Sequence, residues 1–171
     1  MIKRIAITGP ESTGKSMLAE KLAEEFKTTW VPEYARQFLD EIDHLYTYQD
    51  ILTIAKEQFH KINDDFKGSN QYVFFDTELL VTKIWCDFKY GKCHPWILET
   101  LDKQVVDLYL LTDVDLPWQP DPLREHPDKR NQLFELYKTE LEKRNWPFEI
   151  ISGFGEDRIL NAIRAIRKWF H

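Results

Sequence analysis

Residues Gly9-Pro10-Glu11-Ser12-Thr13-Gly14-Lys15-Ser16 fit G-x-x-x-x-G-K-[ST] in full, and nothing else in the chain restricts its fold as strongly. Such a motif is confirmed by its flanks, a strand before it and a helix after it. Here Ile2 to Thr8 is apolar and β-branched, and Met17 to Ala23 carries strong helix formers throughout. Glycines let the backbone curl so that successive N–H groups point inward, and the helix N-terminus adds its positive dipole end. Lys15 supplies a charge for the β and γ phosphates of a nucleoside triphosphate, and the Ser16 hydroxyl is a ligand for Mg2+. All eight loop residues are thus expected against nucleotide. The bland alternative, a glycine turn that only joins strand to helix, does not need the lysine or the flanks.

Five short runs rich in β-branched and aromatic residues read as strands: Ile2 to Thr8, Thr28 to Pro32, Tyr72 to Thr77, Leu108 to Val114 and Phe148 to Ser152. The first, third and fourth are nearly continuous in apolar residues, as strands buried on both faces of a parallel sheet should be. Between Thr47 and Phe66, the residues Ile51, Ala55, Phe59, Ile62 and Phe66 recur at spacings of four and three, which makes one helical stripe. Ile159, Ile163, Ile166 and Phe170 repeat the pattern at the C-terminus. Strands separated by helices imply right-handed crossovers. The fold class expected is therefore α/β, a three-layer sandwich with a five-stranded parallel sheet, in one domain over residues 1–171.

One segment breaks that rhythm. Pro117, Pro120, Pro122 and Pro127 put half of the eight prolines into eleven residues directly after the fourth strand. Proline removes backbone donors and fixes φ, so about 115–130 reads as an exposed loop or lid. A lid suits phosphoryl transfer, which needs water kept from the acceptor. Regulatory GTPases carry an Asn-Lys-x-Asp element that is missing here, and oligomeric motor ATPases need more chain than 171 residues. A small-molecule kinase fits better.

Composition removes other classes. With 43% hydrophobic and 14% aromatic residues the chain has enough apolar surface to fold. A net charge of −6 argues against general affinity for nucleic acid or anionic lipid. No apolar run of about 18 residues is present, and no signal peptide precedes Ile5. Cys86 and Cys93 lack any metal-site or disulfide pattern. The expectation is a cytoplasmic protein with reduced thiols and no nucleic-acid or membrane partner; a homo-oligomer stays open.

Asp76 ends an apolar strand at the sheet edge that binds ligands in open α/β folds. It is the natural second acid of the site, serving Mg2+ or the acceptor hydroxyl, unless it caps the next helix as Thr77 or Glu78 could also do. Glu33, followed by Tyr34 and Arg36, holds the equivalent place after the second strand; a first-turn helix acid is its alternative. The base could be either acid. In the lid, Asp121, Arg124, Lys129 and Arg130 stand among prolines rather than on a helical face. Arg124 is the choice for the transferring phosphate, with Arg130 beside it on the nucleotide, against the reading of a solvated charge cluster. Tyr34, Trp85, Tyr90 and Trp118 flank these groups, and aromatic faces attract cationic rings. Gly153 and Gly155 line adenine or form a plain turn.

Taken together, Gly9 to Ser16, Trp30-Val31-Pro32-Glu33-Tyr34-Ala35-Arg36, Phe75-Asp76-Thr77-Glu78, and Asp115-Leu116-Pro117-Trp118-Gln119-Pro120-Asp121-Pro122-Leu123-Arg124 resemble the kinase domain of NadR-type ribosylnicotinamide kinases. The resemblance covers essentially the whole chain. It implies ATP-dependent phosphorylation of the ribose 5′-hydroxyl of nicotinamide riboside, giving nicotinamide mononucleotide. It further implies ATP on Gly9 to Ser16, Asp76 for metal and catalysis, Glu33 and Tyr34 toward the nucleoside, and Trp118 and Arg124 in the lid. The adenylyltransferase motif His-x-Gly-His is absent, so the step onward to NAD is not expected of these residues. Two rivals are a kinase for another nucleoside or nucleotide, and a nucleotide-dependent binding module with slow hydrolysis.

Overall fold

The computed structural model describes residues 1–64, 66 and 69–170. In chain order the elements are β1 (Lys3–Thr8), α1 (Lys15–Glu25), β2 (Thr29–Val31), α2 (Tyr34–Glu41), α3 (Tyr48–Ile62), β3 (Tyr72–Asp76), α4 (Leu79–Tyr90), α5 (Pro95–Leu101), β4 (Leu108–Thr112), α6 (Arg130–Lys143), β5 (Phe148–Ile151) and α7 (Gly155–Phe170). The five strands form one sheet in the order β2-β3-β1-β4-β5, and every pairing is parallel.

Strand period explains the three layers. Ile5 and Ile7 of β1, Tyr72 and Phe74 of β3, and Leu108 and Leu110 of β4 face α1 and α7. Their alternate neighbours Ala6, Val73, Phe75, Tyr109 and Leu111 face α3, α4, α5 and α6. Both faces are thus covered, which is why β3 and β4 are buried at every position and lack a polar alternation. The edge strands β2 and β5 are short and partly exposed.

Helix ends follow local chemistry. Thr47 and Asp50 form a reciprocal capping box that starts α3. The helix ends at Ile62, where Asn63 caps it and bonds back to Phe59 O at 2.7 Å, so the stripe does not continue as helix to Phe66. Phe66 still packs on the core from outside the helix, and Asp65 lies outside the described residues. Residues 113–129 hold neither helix nor strand, in keeping with the prolines. Arg130 departs from the expectation: it opens α6 rather than standing in the loop. Cys86 and Cys93 are free thiols. Among the described residues no helix is long and apolar enough to cross a membrane.

Candidate active site

Strand β1 lies between β3 and β4, so the loop that leaves it emerges where the strand order reverses, the place where open α/β sheets bind ligands. Two glycines make that loop feasible. Gly9 sits at φ +137°, and a Cβ there would come within 2.5 Å of Thr112 Oγ1. Gly14, at φ +76°, is the N-cap of α1 and offers no side chain to its amides, which leaves them for an anion. Thr13 Oγ1 donates to Pro10 O at 2.7 Å and meets Thr112 Oγ1 at 2.6 Å, pinning the loop to the end of β4. Lys15 Nζ folds back to Pro10 O at 2.7 Å. Burial lowers the Lys15 pKa, against the opposing pull of Glu33, Asp76 and Glu11.

The two acids meet in front of this loop. Asp76 is 1% exposed; burial pushes its carboxyl up, while the Ser16 hydroxyl, Lys15 and the Glu33 backbone amide favour the charged form. Burial and then the Asp76 charge push Glu33 up to about 7, against Lys15 and Arg36. Neither acid caps a helix. Glu33 makes no cap bond on α2, and the cap of α4 is Glu78, which accepts from Leu80 N–H at 2.6 Å and from Thr8 Oγ1 at 3.0 Å. Asp76 Oδ1 is buried and has no hydrogen-bond partner among the described residues. A carboxylate oxygen left open beside a serine hydroxyl fits Mg2+, which takes one or two protein oxygens and completes its shell with phosphate and water.

The proline-rich segment lies over the loop. Gln119 N–H donates to Ser12 Oγ at 2.9 Å, and Glu11 Oε2 accepts from Glu125 N–H and His126 N–H at 3.1 Å each. Arg124 donates to Gln119 O at 2.6 Å and reaches Ser12 Oγ at 3.4 Å. Arg130 donates to Ser12 O and to Leu116 O. From α2, Arg36 Nη1 donates to both Asp121 oxygens, at 2.8 and 2.9 Å. Tyr46 donates to Glu125 and accepts from Trp85 Nε1 at 3.0 Å, which links the segment to α4.

Beneath it is a cleft of about 580 Å³ that runs from the loop to an apolar wall of Val81, Ile84, Trp85, Phe88 and Leu133. Gly9 to Ser16, Glu33, Arg36, Trp85 and Arg124 all line it. Tyr34, Asp76, Trp118 and Arg130 do not. The Tyr34 ring turns toward Phe38 and Lys61, and Trp118 lies 5.7 Å from the Arg130 guanidinium. Phe154, between Gly153 and Gly155, reaches the cleft instead of either glycine.

Sequence reading missed Arg158. It is 1% exposed and donates to Thr13 O, Asp113 O, Gly153 O and Asp115, tying the loop to the ends of β4 and β5. A signal existed: Arg158 falls on the same helix face as buried Ala162, Ala165 and Ile166. Gln58, buried within the α3 stripe between Ala55 and Ile62, was hidden by that apolar pattern.

A glycine loop on a helix N-terminus, a lysine, and a serine–aspartate pair at the switch point of a parallel sheet define a P-loop nucleotide-binding protein. A family model described as AAA domain matches residues 4–158. The chain belongs to that family. It is 31% identical over 176 residues to the trifunctional NAD biosynthesis/regulator protein NadR of Escherichia coli (strain K12), covering 98% of this chain and 42% of that protein. A NadR protein in complex with NR superposes with a TM-score of 0.81 at 21% identity, covering 98% of this chain and 51% of that one. NadR in complex with NAD and AMP-PNP gives 0.80 at 21%, covering 98% and 49%. Deoxyadenosine kinase from M. mycoides gives 0.66 at 12%, covering 96% and 98%. The chain therefore has the fold of P-loop nucleoside kinases and spans about half the length or less of its NadR relatives.

Proposed function

We propose that this chain is an ATP-dependent kinase that phosphorylates the ribose 5′-hydroxyl of nicotinamide riboside. The observation that carries the reading is the placement of Glu33 in the cleft with Lys15, under the proline-rich segment and next to Asp76, where burial and the Asp76 charge push its carboxyl up to about 7. A carboxylate poised near the working pH is suited to accept a hydroxyl proton. In the step, Glu33 takes the 5′-hydroxyl proton as that oxygen bonds to the γ phosphorus. The bond from the γ phosphorus to the bridging oxygen breaks, and ADP leaves with the electron pair. Lys15 and the loop amides hold the β and γ phosphates, and Arg124 meets the charge spread over the γ oxygens. Mg2+, when held by Ser16 and Asp76, supplies further neutralisation of phosphate charge.

The acceptor assignment rests on chemistry and kinship together. Nicotinamide riboside carries a cationic ring, and Trp85 and Phe88 on the cleft wall offer aromatic faces that attract it. The NadR relative solved with NR supports the same acceptor, and the AMP-PNP complex supports ATP as donor. A coupled ADP-release assay with Mg-ATP, with and without nicotinamide riboside, tests this when the product is weighed. Riboside-dependent release of a product one phosphate heavier is expected. Release with another nucleoside only would reassign the acceptor, and tight ATP binding with no acceptor at all would make this a binding module.

A further inference from the structure

Glu33 stands at the N-cap of α2, yet its side chain bonds none of that helix's amides. The first amide of α2 is held by a residue on a different helix. Tyr34 N–H donates to Gln58 Oε1 at 2.8 Å, and the other end of the same amide, Gln58 Nε2, donates to Thr77 O at 3.4 Å. The partners fix the amide orientation, because one is a donor and the other an acceptor. Gln58 is 2% exposed. Each end therefore holds a backbone group that water cannot easily replace, and losing either leaves it unsatisfied.

What Gln58 joins is the notable part. Tyr34 follows Glu33, and Thr77 follows Asp76, so one amide spans the two turns that carry these acids. Thr77 lies at φ +71°, a left-handed conformation that a β-branched residue holds only when its surroundings impose it. The space next to the amide, enclosed by Glu33, Gln58, Thr77, Thr82 and Trp85, is about 10 Å³, room for no more than a single water. Without Gln58 the Tyr34 amide loses its acceptor, and the turn that carries Glu33 loses its tie to α3.

We infer that Gln58 is a positioning residue for Glu33: by accepting from the Tyr34 amide while anchored at its other end on Thr77 O, it fixes the turn from which the Glu33 carboxylate enters the cleft. This rests on the reading of Glu33 as proton acceptor. Gln58→Met, similar in volume, removes both bonds. It should lower kcat by about tenfold to a hundredfold, the usual cost of displacing a reacting group by about 1 Å, with the KM for Mg-ATP unchanged within about twofold. In a Glu33→Gln background the same change should add almost nothing, because the group it positions is already gone. Equal losses in both backgrounds, or a loss carried by the ATP KM, would overturn the inference.

Amide hydrogen exchange provides a readout that needs no reaction. Tyr34 N–H should exchange faster in Gln58→Met. Gln58→Glu, which keeps an acceptor at the same place, should restore its protection and covers the case in which the methionine variant folds poorly. Unchanged exchange at Tyr34 would refute the clamp whether or not the chain transfers phosphate. A wild-type chain with no nucleoside kinase activity but the expected exchange pattern would refute the kinase reading and sustain the clamp.

Discussion

Glu33→Gln is expected to yield a protein that is more stable in mild alkali and has lost its transfer activity. Burial, then the charge of Asp76, moves the Glu33 carboxyl from 4.5 up to about 7. Between those values the folded chain keeps a proton that the unfolded chain has released. Stability is therefore fully present below the unfolded value and is lost as pH rises through the folded one, at about 1.4 kcal/mol per pH unit across the window. The step belongs to the Glu33–Asp76 pair, and its full span is about 3 kcal/mol, with about 2 kcal/mol falling between about pH 5 and about pH 8. Glutamine fills the same space without ionising, so the variant should lack that slope. Urea unfolding of both proteins at the two pH values, with no nucleotide or Mg2+ added, measures the difference. Turnover of the wild type should climb over the same range as the base is freed, opposite in sign to stability. Parallel loss of stability in wild type and variant would refute the claim that Glu33 is held protonated by its site.

Three further changes probe the rest of the cleft. Lys15→Ala removes the ammonium of the loop and should reduce turnover by about a hundredfold or more; near-normal steady-state rates would reject the phosphate-binding role. Asp121→Asn removes the ion pair with Arg36, in which the Arg36 and Asp121 side chains are 43% and 23% exposed. An exposed pair is worth about 1 kcal/mol at most, so nucleoside KM should rise by no more than about fivefold, with faster proteolysis in 115–130; a far larger kinetic loss would mean Arg36 acts on substrate. Gly9→Ala places a methyl 2.5 Å from Thr112 Oγ1 at φ +137°. Calorimetry should show ATP affinity reduced by about tenfold or more, and unchanged affinity would mean the loop has another way to seat the phosphates.

Local chemistry made much of this protein legible from its residues. The eight-residue loop, the apolar strands and the stripes on α3 and α7 are written in short-range pattern, because a buried parallel strand must be apolar on both faces and a helix must bury one stripe. Asp76 and Glu33 stood out because one ends an apolar strand and the other comes just after one. The sheet order and the meeting of partners far apart in sequence were settled in three dimensions. Arg158 reaches Thr13 across 145 positions, Gln119 and Arg124 reach Ser12 across more than a hundred, and Gln58 joins Tyr34 to Thr77 from within an apolar stripe. Which acid caps a helix and which faces the cleft is also a tertiary matter. Glu33 and Glu78 are the same residue type at helix starts, but Glu33 bonds no amide of its helix and faces the cleft, while Glu78 is locked to its own helix and to Thr8. Sequence fixes the residue types a site can use; packing decides which polar group is satisfied by a neighbour and which is left for a ligand.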